Sequence, residues 1–94
     1  MTGYNGWKNY ATWCVKLWLD NEHGLYLDMV ELAKVHGDVY ELSKAIENYV
    51  RELVPNTEPS MFTDLLGAQL DSVDWYEIAE HYFEEFHEEE EDDE

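Results

Sequence analysis

From Glu52 to Glu94 the chain contains no lysine and no arginine, and this absence bounds its function more than any motif. Counterion release on nucleic acid requires cationic side chains, so direct nucleic-acid binding is not expected. Attraction to anionic membranes is disfavoured for the same reason. Cysteine occurs once, as Cys14, which excludes an intrachain disulfide. Proline occurs twice, at Pro55 and Pro59, and the five glycines are scattered as turn punctuation rather than gathered into a phosphate-cradling loop. There is no Gly-x-Ser-x-Gly turn. No apolar run approaches membrane-spanning length and no charged-then-apolar signal segment opens the chain, so a cytoplasmic protein is expected.

What is present is aromatic and acidic. Four Trp, seven Tyr and three Phe in 94 residues give one domain enough large apolar side chains to close a small core. A disordered acidic chain would be poor in them. The formal charge is -18, and it is unevenly placed. Residues 1–51 hold all five basic residues (Lys8, Lys16, Lys34, Lys44, Arg51) against seven acids, a net of -2; residues 52–94 hold sixteen acids, a net of -16. Such a charge distribution fits a basic protein surface as partner.

Apolar spacing predicts an all-α bundle of about five helices. Tyr4 to Trp7 contains an Asn-Gly turn signal, with Trp7 folding back to pin the terminus. Asn9 caps a first helix through Trp13, Leu17 and Trp18, and Asp20 to Gly24 reads as its end and a turn. A second helix, from about Leu25 to His36, turns Leu25, Met29, Leu32 and Ala33 inward, and Gly37 suits a left-handed position beyond its end. Asp38 and Glu41 make a capping box for a third, with Val39, Leu42, Ile46, Tyr49, Val50 and Leu53 on one stripe. Pro55 and Pro59 bracket a loop. Ser60 starts a fourth helix carrying Phe62, Leu65, Leu66 and Leu70. Asp74 and Glu77 make a second capping box for a fifth, with Trp75, Ile78, Ala79, Tyr82 and Phe86 inward. Residues 1–87 then form the helical domain, and 88–94 an acidic tail that like-charge repulsion leaves frayed or disordered.

Chemistry has little to build on. Glu84 and His87 form a Glu-x-x-His pair with His81 one turn earlier, but a two-metal helical bundle needs two such pairs and two further inward Glu residues, and the only partial counterpart is Asp20 to His23. Surface or boundary histidines are the better reading, and neither metal nor other cofactor is expected. Cys14 lacks the electropositive setting that activates a thiolate, since Lys16 points about 200° around a helix from it. An enzyme is not expected. The aromatic set Trp7, Tyr10, Trp13 and Trp18 could be core or binding surface, with core favoured for Trp13.

The acids remain. Asp74, Glu77, Glu80, Glu84 and Glu88 recur at steps of three and four, on one side of a helix, with Glu85 beside them. Halophilic adaptation would spread acids over every face, whereas here the first half is nearly balanced. Over residues 74–94, taken as one helix of about 30 Å, twelve acids give roughly one charge per 2.5 Å, approaching the one per roughly 1.7 Å of duplex DNA.

The segment Tyr4-Asn5-Gly6-Trp7-Lys8-Asn9-Tyr10-Ala11-Thr12-Trp13 resembles the opening Tyr-Asn-Gly-Trp-x-Asn-Tyr-x-Thr-Trp of a family of small uncharacterised proteins of phages, plasmids and bacterial genomes. Val73 to Glu80 is similar to a later segment of the same family. The resemblance brings no catalytic residues with it. It implies a mobile-element setting, in which small acidic inhibitors of host defence nucleases recur. The expectation is an inhibitory nucleic-acid mimic of anti-restriction or anti-CRISPR type, with Asp74, Glu77, Glu80, Glu84, Glu85 and Glu88 as its contact residues. Its partner would be the basic surface of a host nucleic-acid-binding enzyme. The alternative is a non-enzymatic interaction module that binds through its aromatic N-terminal region. A homodimer is compatible with either.

Overall fold

A computed structural model describes residues 6–54 and 60–92, with side chains as far as Phe86. Five helices follow in order: α1 (Tyr10–Asn21), α2 (His23–Val35), α3 (Val39–Leu53), α4 (Met61–Asp71) and α5 (Trp75–Asp92). No strand occurs among the described residues. Residues 1–5, residues 55–59 where a loop is expected, and residues 93–94 lie outside them. Of the predicted tail, the backbone as far as Asp92 continues α5.

The caps explain most helix boundaries. The Asn9 side chain accepts from Thr12 N, that of Asp38 from Glu41 N, and Ser60 forms a reciprocal capping box with Thr63. Two expectations are corrected. The α1–α2 junction is shorter than the expected five-residue turn. A single extended residue, Glu22 (φ -90°, ψ 115°), ends α1 and starts α2, placing His23 and Gly24 inside a helix. Its N–H donates to Trp18 O and its carbonyl accepts from Tyr26 N, so one residue serves both ends. Gly37 is not left-handed: α2 ends through His36 in an extended conformation (φ -106°, ψ 132°), which requires no special residue, and the one positive φ among the described glycines is at Gly6 (+92°).

The core forms where α5 packs against α3 and α2, with α1 closing the side. Met29, Ala33, Leu42, Ile46, Ile78, Ala79 and Tyr82 are fully buried. These are the inward positions of the predicted stripes, and their burial is the main stabilising term. The α4 reading is corrected: of Phe62, Leu65, Leu66 and Leu70 only Leu70 is buried, and Phe62 is 73% exposed. Leu53, at the end of the α3 stripe, is also exposed.

Polar contacts tie the helices to one another. The Tyr82 hydroxyl donates to Asp20 (2.6 Å), the Tyr49 hydroxyl to Asp28, and Arg51 bridges Glu47 on α3 (2.9 Å) and Asp71 on α4 (3.0 Å). Burial, reinforced by the Asp28 carboxylate, pushes the Tyr49 hydroxyl up from 10.0 to about 12. Burial and Asp20 push Tyr82 higher still. Both shifts favour the neutral phenol in the folded state. Their contribution to stability is complete below pH 10 and declines as pH rises through about 12. In an alkaline titration followed by tyrosinate absorbance, at least two of the seven tyrosines should lag until the helical circular dichroism falls. Simultaneous ionisation of all of them before any unfolding would contradict this.

Candidate functional site

From Gly6 onward the opening segment forms a clasp. Gly6 turns the chain in the left-handed region, and Trp7, 9% exposed, lies with its ring centroid 4.2 Å from that of His81 on α5. The Lys8 N–H donates to Glu77 Oε1 (3.1 Å). Asn9 caps α1 with its carbonyl oxygen and donates its amide to Ser72 O (2.8 Å) between α4 and α5. Thr12, wholly buried, donates its hydroxyl to Asn9 Oδ1 (2.7 Å) and accepts from Asp74 N (2.8 Å). The hydroxyl therefore has both donor and acceptor used, as a buried polar group requires.

Lys16 completes the clasp, a role that charge counting alone did not suggest. Its side chain is 14% exposed, its ammonium pairs with Asp20 at 2.6 Å, and it lies 5.6 Å from the Trp7 ring and 4.7 Å from that of Tyr82. The i,i+4 spacing to Asp20 was the available signal.

The structure divides the predicted acidic stripe in two. Asp74 caps α5, accepting from Glu77 N (3.0 Å), while Lys8 Nζ lies 4.0 Å from its carboxylate. The predicted reciprocal half of this box is replaced: Glu77 accepts from Lys8 N, and Asp74 N is held by Thr12. Both acids are half-buried and sit at the positive end of the helix dipole, where carboxylates are favourable. Beyond them the local reasons end. Glu80, Glu84 and Glu85 are exposed, and among the described residues no lysine or arginine pairs with any of them. Glu85 accepts a bond from the Tyr26 hydroxyl (3.3 Å). The side chain of Glu88 lies outside the described residues.

The last turn of α5 contains no basic residue, so acids accumulate at the negative end of its dipole. No group of three or more potential metal ligands occurs among the described residues. His81 faces Trp7, and the side chain of His87 is outside the described set. Cys14 is half-buried on the wall of an apolar groove.

A family model spans residues 1–93. The chain belongs to DUF7249, a family of unknown function. No curated protein and no solved structure matches it. In this member of DUF7249, Trp7, Asn9 and Thr12 of the opening motif are structural fastenings, while Tyr10 and Trp18 are exposed. No described helix is long and apolar enough to cross a membrane.

Proposed function

We propose that this chain is an inhibitory binding protein of a mobile element. The carboxylates of α5 beyond the clasp would occupy the basic nucleic-acid groove of a host defence enzyme, of anti-restriction or anti-CRISPR type, in the bacterial cytoplasm. One observation carries the reading. Asp74 and Glu77 have structural duties, whereas among the described residues no lysine or arginine pairs with Glu80, Glu84 or Glu85, and the acids that follow sit against the helix dipole. That placement costs stability, and solubility alone does not require it. From Glu80 to Asp92 there are eight acids over roughly 18 Å of helix, about one per 2.3 Å, near the linear charge density of a duplex. The contact set narrows accordingly to Glu80, Glu84, Glu85 and Glu88. The burial of Trp7 counts against a binding site centred on that residue.

The test compares the wild-type chain with the E80Q/E84Q/E85Q/E88Q variant. Wild type immobilised in lysate of a bacterial host should capture a nucleic-acid enzyme at low salt and release it at high salt, in competition with DNA or RNA. The variant should lose that capture by about two orders of magnitude, as loss of several close interfacial charge pairs implies. Its melting temperature should equal or exceed that of wild type, because repulsion is relieved. Undiminished capture by the variant would refute the proposal.

A further inference from the structure

In a chain of formal charge -18, one broad face carries no charge at all. It is built from α1 and α4. α4 is anchored at its C-terminal end, where Leu70 and Val73 are buried and Arg51 holds Asp71 at 3.0 Å, and it belongs to none of the extensive helix pairs of the fold. A groove of about 320 Å³ runs between the two helices, with Tyr10, Cys14, Leu66 and Leu70 among its walls. Each wall continues by a step of four residues into solvent. On α1 the row of Tyr10 and Cys14 ends in Trp18, and on α4 the row of Leu70 and Leu66 ends in Phe62. Leu17 and Leu65 flank these rows, and Met61 begins α4; all are exposed. The charged residues of both helices are directed elsewhere. Lys16 and Asp20 pair with each other beside Trp7 and Tyr82. Asp64 lies about 160° around α4 from Phe62, and Asp71, a heptad further on, shares its side.

Area and charge together select the occupant. Tyr10, Trp18 and Phe62 are 55%, 60% and 73% exposed, and Leu17, Leu66, Leu65 and Met61 between 38% and 64%. At about 150–250 Å² for each large apolar side chain, these exposed fractions amount to roughly 600–950 Å², which brackets the roughly 800 Å² per partner of a standard stable interface. An aromatic-rich, charge-depleted surface of this extent has the composition of a homodimer core. It is also the face on which two copies can meet without pressing carboxylates together. Both halves of a fit are present on the one chain, a protruding Phe62 ridge and an open groove. A two-fold axis lets the ridge of each copy enter the groove of the other, which closes the pair. We infer that the α1–α4 face pairs with the same face of a second copy of this chain. This inference stands independently of the α5 reading.

The test is sedimentation equilibrium of the full-length chain, whose monomer mass is 11.2 kDa. A dimer should form at micromolar concentration. It should tighten several-fold as salt rises, because two copies of like charge repel and salt screens that repulsion; capture through α5 has the opposite salt dependence. F62S/L65S on one helix and L17S/W18S on the other should each weaken the dimer at least about a hundredfold. All four side chains are exposed, so the helical circular dichroism of the variants should match that of wild type. E80Q/E84Q/E85Q/E88Q should remain dimeric. As a second readout, alkylation of Cys14 by iodoacetamide should slow several-fold as wild type is concentrated from monomer to dimer. A chain that stays monomeric at about 1 mM in high salt would overturn the proposal. So would a dimer that survives both double variants, or one that leaves Cys14 unprotected. Capture of a different protein by a monomeric chain, lost in F62S/L65S, would assign the face to that partner and overturn it as well.

Discussion

Replacing Tyr82 by alanine should cost about 3–5 kcal/mol and leave the chain partly unfolded at room temperature. Among the described residues Tyr82 is the largest fully buried side chain, on the α5 face that meets the rest of the bundle. Its ring is stacked on Phe86 (6.3 Å between centroids) and carries the Lys16 ammonium at 4.7 Å. Alanine would open a cavity beneath a cation and strand the Asp20 end of the network. A chain this size has a total stability of only about 5–15 kcal/mol, so the loss approaches its lower bound. Tyr82→Phe is the discriminating control. It keeps the ring and loses one hydrogen bond to Asp20, whose carboxylate is 37% exposed and still paired with Lys16. The expected cost is about 1 kcal/mol. Urea denaturation followed by circular dichroism separates the two. If phenylalanine proved as damaging as alanine, the hydrogen bond would be the dominant contribution and the packing account would be wrong.

Trp7→Ala should be nearly as severe, at about 3 kcal/mol or more, although the residue lies close to the N-terminus. The reason is that Trp7 holds down a segment whose backbone and side chains fasten α1 to the start of α5. Thr12→Val tests the polar half of the same fastening. Valine keeps the shape but offers no acceptor to Asp74 N, and the stranded donor should cost about 1–3 kcal/mol. The two losses should not add. Once the clasp has opened in the Trp7 variant, the Thr12 bonds have already been weakened, so the double variant should fall short of the sum by at least about 0.5 kcal/mol. Strict additivity would show that the ring and the hydroxyl act as unrelated sites.

Much of this architecture was legible in the sequence because it rests on local rules. Asn9, Asp38 and Ser60 are caps in the structure as they are in the pattern, and, Leu53 apart, the stripes of α2, α3 and α5 turn inward as spaced. The misreadings came where a local pattern had to be assigned a distant neighbour. Periodicity gives α4 an apolar side but cannot say that nothing covers Phe62. Asp74 and Glu77 read as a self-contained box, yet each takes one of its bonds from a residue more than 60 positions away. Gly37 has the right composition for a left-handed cap, but the backbone at His36 leaves the helix by an extended route. For the candidate site, spacing correctly put the acids on α5, while only the fold could distinguish those that grip the N-terminal segment from those facing solvent.

The clasp also has a consequence for synthesis on the ribosome. The Thr12 hydroxyl meets Asp74 N across 62 positions of chain. At about 5–20 residues translated per second, the first part of the motif waits roughly 3–12 s before its counterpart exists. During that interval Trp7 and Lys16 have no α5 to rest on, so the nascent N-terminal half carries an aromatic surface that a holding chaperone can shield. Closure is then a late event, set by the completion of α5 rather than by the early helices.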